Sequence, residues 1–147
     1  MKGKSVHNCI STFLTAHTST GFTTFLDLKS AFDIANRTVI LHELAKINIG
    51  GSLLRWIIGY LSNRVSSVLY QGFRSESKEM SLGTPQGGVL SPMLFNVLIN
   101  ALLNALPASP KHIAISYADD IMIHTTGHKK MSTILNEVQA ICNRLSL

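Results

Sequence analysis

Three aspartates stand in apolar surroundings, where unpaired carboxylates are rare. Asp27 lies in the sequence FLDL, and the adjacent Asp119 and Asp120 separate the apolar sequences IAISY and IMIH. Burying a carboxylate is costly unless it is paired or binds a metal, and neighbouring aspartates repel each other unless a cation is close. Carboxylate oxygens are the ligands that Mg²⁺ prefers. The three side chains would meet as metal ligands if the strand of Asp27 lies beside the 119–120 turn.

Each of these aspartates also has an ordinary interpretation. Asp119 and Asp120 could form a solvated turn, because aspartate is a common turn residue, although two-residue hairpin turns favour glycine. Asp27 could cap a helix or pair with Lys29. Asp33 is assigned to a helix cap or to an ion pair with Arg37, four residues further on, rather than to a metal. The residue types alone leave the first two alternatives open.

The hydropathy pattern predicts strands around these aspartates and helices between them. Strands are predicted at 22–28, 65–72, 79–82, 112–117 and 121–125, with a polar loop at 73–78. Helices are predicted at 6–14, 39–47, 53–61, 93–106 and 131–145. This order predicts an α+β domain in which helices pack on one face of an antiparallel sheet.

Loops and helix ends are predicted from individual residues. The sequence GTPQGG at 83–88 must form a loop, because proline and glycine break regular structure. Three serines are candidate N-caps: Ser5, Ser52 and Ser91, the last with Pro92 as the first helical residue. The helix at 93–106 is apolar on nearly every face, which predicts burial all round. Trp56 has apolar neighbours at helical spacing and is assigned to the core.

The composition is typical of one folded domain. The chain has 147 residues, of which 46% are hydrophobic and 14% charged, and this balance excludes a disordered protein. No apolar run approaches the ~18–20 residues of a membrane span, and the polar N-terminus does not fit a signal peptide, so we expect an intracellular protein. The net charge of +5 is a weak indication of a polyanionic partner. Cys9 and Cys142 form no metal-binding motif and are predicted to be reduced thiols.

Three motifs occur in a fixed order: FLDLKSAFD at 25–33, GTPQGGVLSPMLFN at 83–96 and YADD at 117–120. Together they resemble the palm of reverse transcriptases, above all those of non-LTR retrotransposons. The sequences RWIIGYLSNR and KGKSVHNCI are also similar to that family, so the resemblance covers nearly the whole chain. Group II intron and other bacterial reverse transcriptases share the second and third motifs.

The resemblance implies a metal site for nucleotidyl transfer. Asp27 and Asp119 correspond to the two metal-binding aspartates, and Asp120 is the third acid of the site. The backbone carbonyl of Leu28 would touch the metal on the nucleotide side. The implied cofactors are two Mg²⁺ ions, with Mn²⁺ as a substitute, held ~3.5–4 Å apart as in other two-metal sites.

The resemblance also implies contacts with nucleotide, primer and template. Phe32 matches the aromatic that stacks under the sugar and excludes a 2′-hydroxyl. Gln86 and Gly87 match the loop that positions the incoming nucleotide and the template base, where glycine allows close approach of a base pair. Three further residues are placed near primer and template: Tyr117, Pro85 and Gly88.

By the same resemblance, the chain is a partial reverse transcriptase domain, polymerase palm-like and truncated at both ends. Residues 1–21 correspond to a fingers-side helix and 22–147 to the palm with a fingers insertion, with no second domain. The implied partners are an RNA template, a DNA primer, deoxynucleoside triphosphates, and the fingers and thumb segments of a longer polyprotein, but no membrane. A nuclear location follows from the family alone. We expect little or no polymerase activity from these 147 residues by themselves.

Two alternatives compete with a polymerase segment. One is an inactive retroelement remnant that at most binds nucleic acid or folds with a partner. The other is an RNA-templated RNA polymerase palm, which Phe32 and the YADD sequence disfavour. The resemblance further predicts that the strand of Asp27 pairs with the 112–125 hairpin and leaves an unprotected sheet edge. That edge predicts poor solubility, and a monodisperse, cooperatively melting monomer at high concentration would contradict it.

Overall fold

The computed structural model describes residues 7, 10, 11, 14, 15, 20–106 and 112–147. The chain divides into two compact units, which we call the sheet unit (Met1–Lys29 and Ile99–Leu147) and the cleft unit (Ser30–Leu98). The strands are β1 (Phe22–Asp27), β2 (Val65–Ser66), β3 (Leu69–Tyr70), β4 (Phe73–Arg74), β5 (Lys78–Glu79), β6 (His112–Tyr117) and β7 (Asp120–Thr125). The helices are α1 (Ala31–Ile34), α2 (Arg37–Lys46), α3 (Gly51–Leu61), α4 (Ser91–Ala105) and α5 (His128–Leu145).

The sheet unit contains a three-stranded antiparallel sheet in the order β1-β7-β6. The central strand β7 is buried from Ile121 to Thr125, because its apolar side chains alternate between two covered faces. The predicted hairpin and its pairing with the strand of Asp27 are both confirmed. In the described part of the chain β1 pairs only with β7, and Phe25 on this edge is 71% exposed. The poor solubility expected from such an edge stays a prediction.

Helix α5 contacts β7 and confirms the predicted amphipathic pattern. Its buried residues recur every three or four positions: Met131, Ile134, Val138, Ile141, Cys142 and Leu145. Cys142 is a free thiol, and burial raises its pKa, so it stays protonated and unreactive. Cys9, Ser5, Pro107 and Pro110 lie outside the described residues. Of the helix predicted at 6–14, only 7, 10, 11 and 14 are described, and all four are helical.

Helix starts in the cleft unit differ from the sequence prediction. Asn36 caps α2, because its side-chain oxygen accepts the Val39 N–H at 3.2 Å. The predicted Ser52 cap is wrong: Gly50 is the N-cap of α3. Helix α3 begins at Gly51, whose φ of 61° suits glycine, and Ser52 therefore falls in the first helical turn.

The segment between α3 and the 83–88 loop folds as a narrow hairpin. The predicted polar loop at 73–78 is wrong, since β4 pairs with β3 and β5 pairs with β2. The reversal occurs at Gln71 and Gly72, which both have positive φ (49° and 83°), as a two-residue type I′ turn requires. Glutamine is rare at such a position, and the turn therefore carried no obvious sequence signal.

Helix α4 is buried on one side, not all round. Met93 is 64% exposed, whereas Leu94, Phe95 and Leu98 are at most 4% exposed. Ser91 is the first residue of α4 rather than its cap, and its hydroxyl donates to the Pro85 carbonyl oxygen. No described helix combines the length and apolarity needed to cross a membrane.

Candidate active site

Strand register brings acidic and aromatic side chains together on one face of the sheet unit. Asp27 lies directly opposite Asp120 in the β1–β7 pairing, and Tyr117 lies opposite Asp120 in the β6–β7 pairing. Residues opposite each other in an antiparallel pair share a face, with Cβ atoms ~4.5–5.5 Å apart. The sheet therefore brings Asp27, Asp120 and Tyr117 together, as the sequence predicted for the two aspartates.

Asp119 lies in the two-residue turn that joins β6 and β7. The sequence prediction of a turn built on both aspartates is wrong, because Asp120 is the first residue of β7 and Ala118 precedes Asp119 in the turn. Ala118 has a φ of 52°, where two-residue hairpins normally use glycine. A side chain at positive φ stores strain, and such strain clusters at functional sites. The costly backbone geometry is that of Ala118, the residue immediately before Asp119.

Among the residues that the structure describes, no cation forms an ion pair with these aspartates. Asp27 and Asp120 are exposed, and Asp119 is half-buried. The ion pairs found among the described residues both involve Glu43. Like charges directly opposite on a sheet destabilise it. A cation bound between these carboxylates would relieve that repulsion.

The donor set fits a magnesium site that a ligand completes. No described group of three or more histidines, cysteines or acids is arranged to hold a metal on its own, so the three aspartates do not form a ready-made protein cage. Mg²⁺ in phosphoryl-transfer sites is bound by one or two carboxylates together with water and substrate phosphates. Leu28, whose carbonyl is the implied fourth contact, follows β1 directly and is half-buried.

The cleft unit contains the residues assigned to nucleotide binding. Phe32 is half-buried and stacks on Phe95, with ring centroids 4.3 Å apart. Gln86 Nε2 donates to Asp33 Oδ1 at 2.7 Å, which fixes the orientation of the Gln86 amide. The sequence predicted that Asp33 caps a helix or pairs with Arg37. Both predictions are wrong, because Asn36 caps α2 and Asp33 accepts a hydrogen bond from Gln86.

Arg37 organises the cleft unit, and the sequence analysis missed this role. Its guanidinium donates to four backbone carbonyls, those of Leu61, Met80, Leu82 and Gly83, at 2.5–2.7 Å. Burial, and next the charge of Arg64, lower the pKa of Arg37. One signal was available: Arg37 is the first residue of α2, where a cation opposes the helix dipole.

The glycines of the 83–88 loop differ in what they require. A Cβ on Gly83 would lie 2.5 Å from the Asp33 carbonyl oxygen, and its φ is 79°. Gly87 has a φ of 77° and open space around it, which agrees with close approach of a ligand. A Cβ on Gly88 would instead collide with the Tyr60 hydroxyl. The Gly88 N–H donates to the Pro85 carbonyl at 3.0 Å, so both residues have a packing role in the loop.

Comparison with known proteins adds a family and a fold. A model of the family described as reverse transcriptase (RNA-dependent DNA polymerase) matches residues 1–147. A retrovirus-related Pol polyprotein from the type-1 retrotransposable element R2 of Popillia japonica is 28% identical over 67% of this chain. The RNA-directed DNA polymerase from mobile element jockey of Drosophila funebris is 32% identical over 69% of this chain. The matches span only 15% and 11% of these two relatives.

The fold is also similar to that of a solved structure. Apo telomerase from Candida tropicalis, truncated from its C-terminal domain, superposes with a TM-score of 0.76. The match covers 92% of this chain and 31% of the telomerase chain at 13% identity. At that identity the similarity concerns the fold alone, and it agrees with a polymerase palm.

Proposed function

The chain belongs to the reverse transcriptase (RNA-dependent DNA polymerase) family, and on that premise we propose that it is the catalytic segment of a retrotransposon polymerase. Its reaction is two-metal transfer of a nucleotide from a deoxynucleoside triphosphate to a primer 3′-hydroxyl, on an RNA or DNA template. The observation that carries the proposal is the register of Asp27 opposite Asp120, with Asp119 in the turn between β6 and β7. The polymerase would act within a longer polyprotein.

In this proposal Asp27 and Asp119 bind the catalytic Mg²⁺ ions, and Asp120 adds negative charge beside them. When bound, the ions promote loss of the 3′-hydroxyl proton and stabilise charge on the attacked phosphate. The positive φ of Ala118 supports a functional role for this turn, because backbone strain of this kind clusters at functional sites.

Residues of the cleft unit would select and position the nucleotide. Phe32 is braced by Phe95 and would stack under a deoxyribose, where an added 2′-hydroxyl meets the ring. Gln86 is held by Asp33 and presents a fixed amide to the incoming nucleotide. Gly87 leaves open space next to the backbone, so a base pair can approach it closely.

Metal binding and primer extension test the proposal together. Mn²⁺ binding is followed by electron paramagnetic resonance, with and without a deoxynucleoside triphosphate, for the wild type, Asp119→Asn and the matched control Glu76→Gln. Extension of a DNA primer on an RNA template is measured with the same proteins and in the full-length polyprotein. We expect nucleotide-dependent Mn²⁺ binding that Asp119→Asn removes and Glu76→Gln retains. Mn²⁺ binding or extension that survives Asp119→Asn would overturn the proposal.

A further inference from the structure

One face of α3 is apolar although it is exposed to solvent. The buried residues of this helix are Ile57 and Leu61, which lie on its other side. Trp56 is 56% exposed and Leu53 is 54% exposed, so the assignment of Trp56 to the core from sequence is wrong. Clustered apolar side chains on a protein surface indicate an interaction site, whereas single ones need no explanation.

The Trp56 ring is supported from within the chain. It is stacked on the ring of Tyr60, with centroids 5.6 Å apart and planes 10° from parallel. The guanidinium of Arg64, which follows the end of α3, lies 5.6 Å from the centroid of the Tyr60 ring, within cation–π distance. A tryptophan has only two side-chain torsions and loses little entropy on binding. Such residues dominate the binding energy of many interfaces.

Gly59 lies on the same face as Trp56, and nothing among the described residues requires glycine there. It stands in the interior of α3, where glycine costs ~1 kcal/mol relative to alanine. A Cβ added at Gly59 would meet no atom within 4 Å, and its φ is not positive. Ser52, Trp56 and Gly59 are neighbours on one helix face, because residues three and four apart lie side by side. A bare backbone beside an exposed indole lets a partner approach closely.

The charge around this face is positive. No acidic residue occurs between Glu43 and Glu76, a stretch that contains four cations. One of these is Arg55, which is exposed in the middle of α3, and the ion pairs found among the described residues involve Glu43 instead. A second copy of the chain would bring the same cations against each other. Charge complementarity therefore favours a partner that carries acidic side chains.

The apolar residues of α3 favour a protein partner over a nucleic acid. Single-strand binding sites are built from aromatic side chains on which successive bases stack. Apart from Trp56, the exposed large hydrophobic residues of α3 are aliphatic, namely Leu53 and Ile58. Aliphatic side chains pack well against the apolar stripe of another helix, which is a common mode of peptide recognition.

We propose that this face of α3 docks an amphipathic helix of a separate protein, whose apolar stripe is flanked by acidic residues. An apolar side chain of the partner packs against Trp56 and over Gly59. Leu53 borders the contact on one side, and Arg55 pairs with a carboxylate on the other. The inference goes beyond the proposed function and is independent of it, because docking requires neither metal nor nucleotide.

The unique tryptophan reports docking. The probe is a helical peptide of about 18 residues, or roughly five turns, with leucine along one stripe and glutamate on both flanks. A second peptide has lysine in place of each glutamate. Each is titrated into the chain, and the Trp56 emission maximum is recorded together with the anisotropy of the labelled peptide. We expect the glutamate peptide to shift the emission to shorter wavelength. The lysine peptide should bind at least about tenfold more weakly, and equal binding of both peptides would contradict the proposal.

Substitutions distinguish docking from general hydrophobic adsorption. Trp56→Ala should weaken binding of the glutamate peptide at least about tenfold. Phe73→Ala, at an aromatic residue of β4 that is 82% exposed, should leave the affinity unchanged. Arg55→Gln should weaken binding about two- to threefold. Lys46→Gln removes an equal charge that is already paired with Glu43, and it should have no effect.

Gly59→Leu separates a docking role from a structural one. Leucine is a better helix former than glycine, so the melting temperature should rise. Binding of the glutamate peptide should nevertheless fall at least about fivefold, because the new side chain occupies the space that the partner needs. Unchanged binding in Gly59→Leu, or equal losses in Trp56→Ala and Phe73→Ala, would overturn the proposal.

Other occupants of the face would give other results, each of which contradicts a separate protein partner. Single-stranded RNA or phosphatidylglycerol vesicles would shift the Trp56 emission as strongly as the glutamate peptide. A second copy would give a dimer that Trp56→Ala dissociates. A segment of the same polyprotein would protect Trp56 from hydroxyl-radical oxidation in the full-length polyprotein alone. Asp119→Asn should leave peptide binding intact, so failure of the catalytic proposal would be seen separately.

Discussion

The sheet unit and the cleft unit treat their charged groups in opposite ways. In the cleft unit, Arg37 finds its partners within the chain, in four backbone carbonyls. In the sheet unit, register places Asp27 opposite Asp120, and no described cation pairs with either. The Arg37 charge stabilises the fold, because its hydrogen bonds are made within the chain. The charges of Asp27 and Asp120 destabilise the fold, because they lie opposite each other.

This difference separates structural from functional charge. A charged group with enough internal partners contributes to folding free energy and has little left for a ligand. Opposed like charges contribute nothing favourable until an external cation arrives. Removing charge should therefore have opposite effects on stability in the two units.

The largest effect is expected from Arg37→Ala. Four carbonyls lose charged hydrogen bonds at once, so we expect the free energy of unfolding to fall by about 3–5 kcal/mol, measured by urea denaturation. Arg37→Lys should recover only part of the lost stability, because lysine lacks the planar fork of donors of the guanidinium. Arg55→Ala, at an exposed arginine of α3, should stay within about 0.5 kcal/mol. If Arg37→Ala left the free energy of unfolding unchanged, the contrast between the two units would be wrong.

The next largest effect concerns the loop glycines. Gly83→Ala should lower the free energy of unfolding by about 2–3 kcal/mol. The new Cβ would collide with the Asp33 carbonyl oxygen, and alanine would also have to adopt the positive φ of this position. Gly87→Ala meets open space and should cost only about 1 kcal/mol. Thermal unfolding of the pair measures the difference. Equal costs would show that the tight approach at Gly83 is relieved by movement of the loop.

A smaller effect is expected from adding metal. With Mg²⁺ and a deoxynucleoside triphosphate at ten times the dissociation constant, wild-type stability should rise by about 1.4 kcal/mol. Asp27→Asn should lose most of that gain in a thermal shift assay. Arg55→Ala should keep it. A gain that is the same in Asp27→Asn would mean that the opposed aspartates are not where the metal binds.

The smallest effect is expected from Asp27→Asn without metal. Relief of repulsion from Asp120 should raise the free energy of unfolding by about 0.2–1 kcal/mol. The gain should shrink at high salt, because exposed charges are screened. Glu76→Gln, an acid in the loop before β5, provides the comparison. Destabilisation by Asp27→Asn would show that the carboxylate has a structural partner after all.

Much of the sheet unit could be predicted from sequence. Alternating and continuous apolar runs predicted β1, β6 and β7, and the three-four spacing predicted α5. The cleft unit was harder to predict, for identifiable reasons. The turn at Gln71 and Gly72 has glutamine where asparagine, aspartate or glycine is usual, and Trp56 has apolar neighbours in the sequence although it is exposed. Arg37 carries no local pattern, since its surroundings come from distant segments.

By itself, the sequence determined the long strands and helices, the family resemblance and the identity of the carboxylates, because periodicity and residue type are local properties. Only the tertiary structure decided which aspartates face each other, since register depends on pairing across about 90 residues between Asp27 and Asp120. It also decided that the Arg37 guanidinium donates to backbone carbonyls, whereas that of Arg64 lies over the Tyr60 ring. The physical reason is the same in each case: the environment of a charge is set by groups that only folding brings near.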